Sequence, residues 1–264
     1  MIKAIKLVLI YFGCQIVGAL IVAMFGAIIS LVMYGNFTGV QAMMLAPAMF
    51  AGFLLMAFYL YKADYINREK VTWTPVSPFY LLCSVIIALS AIVLIDYLMS
   101  LMPWLPNIME DSFNLLQSGW FGIVCLTLLG PILEELLFRG AITRVLLRKY
   151  TPAKAIVLSA LVFGVFHLNP AQIFGAALIG LLLAWIYYKT ASLVPCILIH
   201  IVNNSLSVYL GLRYPNAEYI KDVVGEPSYY KILVAAALCL VIAYAAMRKT
   251  KVAYDWKEAL LNRN

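Results

Sequence analysis

The sequence predicts an all-α, polytopic membrane protein of about eight transmembrane helices, and three observations predict it. Hydrophobic residues make up 65% of the 264 and charged ones only 12%, whereas a soluble domain carries about 25% charged residues with which to cover its surface. Apolar runs of about 20 residues, long enough to cross a bilayer, recur along the whole chain, whose mean hydropathy is +0.95. Lysine and arginine gather in alternate connections between those runs, the mark of a chain that threads a membrane repeatedly.

Taken in order, the runs place helices at roughly 6–33, 41–61, 79–102, 119–146, 154–168, 171–188, 192–211 and 229–247. The first follows Lys3 and Lys6 as a signal peptide would. Its apolar stretch nevertheless reaches Tyr34 and exceeds a signal core of about 7–15 residues, so an uncleaved span is expected. The fifth and sixth helices are expected to be short and joined by a tight turn at Asn169-Pro170 on the membrane face, because proline cannot donate a helical hydrogen bond. No linker or low-complexity tract interrupts the chain, and residues 1–264 are expected to form a single integral-membrane domain. The five cysteines, Cys14, Cys83, Cys125, Cys196 and Cys239, fall inside apolar runs, so no disulfide framework is legible and buried thiols are expected.

A net charge of +7 invites a nucleic-acid reading, but the cations form no single stripe with interleaved aromatics. Their placement follows topology. With the start of the chain inside, the inner segments hold Lys3 and Lys6, then Lys62, Arg68 and Lys70, then Arg144, Arg148, Lys149 and Lys154, then Lys189, and finally Arg248, Lys249, Lys251, Lys257 and Arg263. The outer segments hold only Arg213, Lys221 and Lys231, and Arg139 lies within the fourth span. The positive-inside rule then expects cytoplasmic N- and C-termini in a multi-pass protein of the plasma membrane.

Three polar groups remain inside the apolar runs. Gly130-Pro131 leads into Glu134-Glu135 and Arg139 in the fourth span, Phe163 precedes His167 by one turn in the fifth, and His200 precedes Asn204 by one turn in the seventh. A charge at membrane depth costs about 2.5–3.5 kcal/mol on insertion scales, so such residues face the bundle interior and find partners. Glu135 and Arg139 can pair at i, i+4 on one helix face, which leaves Glu134 without a cation of its own. Taken singly, each group has a plain structural use: an ion-pair staple, interhelical hydrogen bonds, aromatic packing at Phe163 and Phe166, and close helix approach at Gly164 and Gly180. A lone carboxylate, the chain's only two histidines and an amide, spread over three apolar helices, supply together what amide hydrolysis requires: a base, a site for water and donors for an oxyanion.

These residues, in this order, resemble the three motifs of the CAAX prenyl protease 2 and bacteriocin-processing family of intramembrane endopeptidases, also called the CPBP or Abi family. The motif-bearing core is about 119–211, and the first three spans match only as apolar helices. The resemblance implies a bundle whose intramembrane polar cavity opens toward the cytosol and the bilayer. It implies Glu134 as the base that activates water, His167 as the residue that holds that water, His200 and Asn204 as the oxyanion site, and Glu135 with Arg139 as supporting residues. It leaves two chemistries open. A metal-free glutamate mechanism with no cofactor is preferred, because no His-Glu-xx-His helix is present. The zinc alternative would gather Glu134, His167 and His200 from three helices. The implied partner is a membrane-docked protein or peptide, of CAAX type or a bacteriocin or pheromone precursor, and the compact chain suggests a prokaryotic source.

Rival readings are an ion- or proton-coupled transporter, since intramembrane Glu, His and Arg also build relays, and a non-catalytic peptide-binding immunity protein. Cys196, at i−4 from His200, offers a Cys–His pair and competes with a simple buried thiol. Asp96, near the outer end of the third span, has no evident partner.

Overall fold

In the computed structural model, the described residues are 1–35, 41–66, 73–250 and 252–256. Helix α1 spans Ile2–Tyr34, α2 Leu45–Lys62, α3 Pro78–Ser100, α4 Glu110–Gln117, α5 Trp120–Lys149, α6 Pro152–Phe166, α7 Pro170–Thr190, α8 Val194–Arg213, α9 Ile220–Val224 and α10 Glu226–Arg248. Five of the helices carry proline at one of their first two positions, at Pro78, Pro152, Pro170, Pro195 and Pro227, where the missing N–H is no loss and the fixed φ favours a helical start. At α3 the Ser77 hydroxyl also accepts the Tyr80 N–H at 3.2 Å, a side-chain N-cap.

Among the described residues seven helices, α1, α2, α3, α5, α7, α8 and α10, are long and apolar enough to cross a membrane. The all-α polytopic bundle expected from the sequence is present, with one correction: helix α7 is 21 residues long, not short. Helix α6 is short as expected: its 15 residues rise about 22 Å, less than the about 30 Å of a hydrocarbon core. The helix ends at Phe166, one residue before His167.

Two close approaches set the packing. An added Cβ on Gly164 would lie 2.6 Å from the Ile173 carbonyl oxygen and 2.8 Å from Ala177 Cβ, so α6 and α7 meet backbone to backbone there. On Gly18 it would meet the backbone of Gly52, joining α1 to α2 in the same way. Small residues permit such contact where lipid supplies no hydrophobic drive for helix association.

The Asn169-Pro170 turn forms, but not on an exposed face. Asn169 is fully buried beneath the segment that follows α3. Its amide oxygen accepts the Ile108 N–H at 3.1 Å, and its amide nitrogen donates to Asn107 Oδ1 at 2.8 Å. Asp96 also finds its partners: it accepts the Ile220 N–H at 3.1 Å and the Tyr229 hydroxyl at 2.7 Å. The carboxylate therefore ties the α8–α10 connection to α3.

Candidate active site

Helix α5 carries the first motif and is not a uniform α-helix: it contains two wide π-helical stretches, Cys125–Leu129 and Leu136–Thr143. Such stretches are rare and often mark functional sites. In the first, the Gly130 N–H bonds the Cys125 carbonyl, a step of five residues. The same register would pair the Leu126 carbonyl with residue 131, but that is Pro131, which has no N–H. Asn204 of α8 fills the gap, its side-chain amide donating to the Leu126 carbonyl at 3.0 Å. Asn204 Oδ1 also accepts from Asn203 at 3.1 Å. The position of Asn204 thus follows from a missing donor three helices away in sequence.

His167 is fixed by a helix end. The last turn of α6 tightens, with the His167 N–H bonding the Gly164 carbonyl at 3.1 Å, and so leaves the Phe163 carbonyl to the imidazole itself: Nδ1 lies 2.8 Å from it. A carbonyl only accepts, so Nδ1 carries the proton and a neutral ring presents Nε2 as an acceptor.

Glu135 and Arg139 pair at 2.8 Å, both fully buried, as their spacing predicts. Arg139 also donates to the Gly180 carbonyl at 3.3 Å and lies over the Phe163 ring, 4.5 Å from its centroid. What their spacing could not show is that the same Glu135 Oε1 stands 2.8 Å from His200 Nδ1. A carboxylate ionised beside a guanidinium has no proton to give, so this bond too requires Nδ1–H on the imidazole. His200 Nε2 is thereby turned toward Glu134, 3.8 Å from its Oε2. That oxygen is buried with no hydrogen-bond partner among the described residues, and the Glu134 side chain is 16% exposed.

Phe163 stands between the imidazoles, its ring 4.9 Å from His167 and 5.8 Å from His200, both edge-on. Phe138 packs against Phe163 at 4.8 Å and Phe166 at 4.9 Å, and Tyr11 of α1 reaches Phe166 at 4.7 Å. Edge-on aromatic pairs contribute about 0.5–1.5 kcal/mol each beyond area burial, so the cluster holds the rings that set the imidazole planes. Cys196 forms no pair with His200: its thiol donates to the Leu183 carbonyl at 3.4 Å, and the imidazole nitrogens face the glutamates.

Glu134, His167, His200 and Asn204 all line one cavity of about 1130 Å³. Among the described residues four carboxylates, Asp96, Glu110, Glu134 and Glu218, line it, and no lysine or arginine does. From the motif residues it runs to Asn107, Glu110 and Asn114 after α3 and to Asn216 and Glu218 after α8. Among the described residues, none of the connections at the opposite end of the bundle, 63–66, 73–77, 150–151, 191–193, 249–250 and 252–256, contributes to it. That opposite end is also where α1 begins and α10 finishes, the end of α10 bound to the end of α7 by the Lys189 amine on the Arg248 carbonyl and the Ala253 N–H on the Lys189 carbonyl. Cytoplasmic termini and a cytosol-facing cavity, both expected from the sequence, therefore exclude each other.

Two imidazoles held as Nδ1–H tautomers by a carboxylate and a carbonyl, with a carboxylate nearby, are donors of the type zinc uses. Among the described residues, however, no three His, Cys, Asp or Glu side chains gather closely enough to hold a metal ion. In this arrangement Glu134, His167 and His200 share a cavity without forming a ligand shell.

Comparison with known proteins now adds to this geometry. Residues 116–206 match the family model described as type II CAAX prenyl endopeptidase Rce1-like, and that stretch contains every motif residue named above. The match covers the motif-bearing region, about a third of the chain, and makes that region similar to the CPBP family. The chain is also similar to a protein from Bacillus subtilis (strain 168) named "Putative membrane peptidase YdiL", 28% identical over 113 residues. That likeness covers 43% of this chain and 46% of the relative, so about half of the relative's length is spanned. No solved structure matches.

Proposed function

We propose that the chain is an intramembrane endopeptidase in which Glu134 activates water against a peptide bond drawn into the cavity. The observation that carries this reading is the unpartnered Glu134 oxygen, buried in a cavity into which two oriented imidazoles also look. The match of residues 116–206 to a family model named for endopeptidases supports it.

In the proposed reaction a water gives one hydrogen bond to the Glu134 carboxylate and another to His167 Nε2, which points its lone pair at the substrate carbonyl. Glu134 takes the proton as the oxygen attacks, and the carbonyl oxygen becomes an oxyanion. Asn204 has a second amide N–H beyond the one given to Leu126, and this is the first donor to that oxyanion. His200 is the second, through Nε2, and can donate there only when both ring nitrogens carry protons. Collapse of the intermediate breaks the C–N bond as the proton held by Glu134 passes to the leaving amine. Glu135 and Arg139 take no part in bond making: they orient His200 and hold α5.

The test compares cleavage of membrane-docked peptides by wild type, Glu134→Gln and Asn204→Ala. Glu134→Gln should lower turnover at least about a hundredfold with unfolding unchanged. Loss of an oxyanion donor costs about 2.7–4 kcal/mol, so Asn204→Ala should lower turnover by about 10²–10³ with little change in KM. Full activity in Glu134→Gln would remove the residue from the mechanism. Activity that chelators abolish and one equivalent of zinc restores would replace the glutamate chemistry with a metal-assisted one. Peptides accumulating on Glu134→Gln in the native host would name the substrate and separate an enzyme from a non-catalytic binder.

A further inference from the structure

The cavity opens at one end of the bundle, and the cations lie at the other. Among the described residues, Lys3, Lys6, Lys62, Arg144, Arg148, Lys149, Lys154, Lys189, Arg248 and Lys249 belong to the closed end, and Arg213, Lys221 and Lys231 to the open end. In sequence, Arg68, Lys70, Lys251, Lys257 and Arg263 fall in the connections of the closed end as well. Short cytoplasmic connections carry the excess of Lys and Arg, and carboxylates count little in that rule. The closed end is accordingly the cytoplasmic one.

We infer that the cavity is loaded from the extracytoplasmic face, so that its substrate is the extracytoplasmic stretch of a membrane-anchored peptide and not a lipidated C-terminus offered from the cytosol. This rests on the peptidase reading for the word substrate, while the sidedness stands on the fold and the cation distribution alone. The local structure agrees with it: the turn that follows His167, with buried Asn169 pinned to Asn107 and Ile108, lies at the open end. The wall between mouth and Glu134 offers amides, Asn107, Asn114, Gln172 and Asn203, against apolar Met99 and Met102. Side-chain amides both donate and accept, so they can pair with the main chain of an extended peptide, and a lining that among the described residues has carboxylates and no lysine or arginine favours a neutral or basic one.

Sidedness is read first, by labelling single-cysteine additions with a membrane-impermeant sulfonated maleimide. Asn216→Cys marks the exposed mouth and Lys149→Cys the exposed closed end, with wild type as the blank for native thiols. Right-side-out vesicles should label Asn216→Cys and spare Lys149→Cys, and inverted vesicles should do the reverse. The opposite pattern overturns the inference whatever the protein catalyses. Cleavage is read second, with a library of palmitoylated, internally quenched peptides added to each kind of vesicle and Glu134→Gln as control. Cleavage confined to right-side-out vesicles supports the inference, and cleavage confined to inverted vesicles overturns it. Labelling as expected with no Glu134-dependent cleavage on either side upholds the sidedness and counts against the peptidase reading.

Discussion

Glu135 is the point at which two motifs meet, and replacing it with glutamine measures what that junction holds. The substitution keeps the shape and removes the charge from an oxygen that stands 2.8 Å from both Arg139 and His200. Arg139, fully buried, is left with the Gly180 carbonyl, the Phe163 ring face and a neutral amide. Removing one partner of a buried pair costs about 3–5 kcal/mol, because the remaining charge is uncompensated, and Glu135→Gln should fall in that range. Arg139→Gln should cost less, since the Glu135 carboxylate keeps its charge-assisted bond from His200, a contribution of about 1.5–3 kcal/mol. The double variant buries neither charge, and its cost should fall below the sum of the singles by about 0.5–3 kcal/mol. Denaturant or SDS titration in detergent micelles, followed by circular dichroism, reads all three. A double variant that matches the sum within about 0.5 kcal/mol would show that Glu135 and Arg139 do not support each other.

The chain's two histidines are both predicted to be protonated at Nδ1, and ring ¹⁵N spectra, assigned with His167→Gln, check this directly; an Nε2–H tautomer of His167 would break the assignment of its lone pair to the cavity. Gly164→Ala should force α6 and α7 apart and lower stability by about 1–3 kcal/mol, with a loss of turnover because His167 follows three residues later; an unshifted melting temperature would mean that the contact is slack. Asp96→Ala releases the Ile220 N–H and the Tyr229 hydroxyl, so a protease acting on the open end should cut the 214–225 connection several times faster than in wild type. Equal cutting rates would show that Asp96 does not hold that connection.

Hydropathy and charge are local properties, and whatever depends on them was legible in the sequence: an all-α membrane bundle, its spans to within a few residues, and the Glu135–Arg139 pair, whose spacing alone puts both side chains on one helix face. The motif residues could also be singled out, because a lone carboxylate, two imidazoles and an amide have no inexpensive place in a bilayer. Tertiary structure decided how they meet. Glu135 serves His200 as well as Arg139 only because α8 packs on α5 across 65 residues of chain, and no periodicity records that. Asn204 is occupied because Pro131 cannot answer the Leu126 carbonyl, a consequence of the π-helical register that the bare Gly130-Pro131 does not announce. The direction of the cavity was hidden for the same reason: charge counting orients the ends of helices, whereas a mouth exists only where connections from different helices leave space between them.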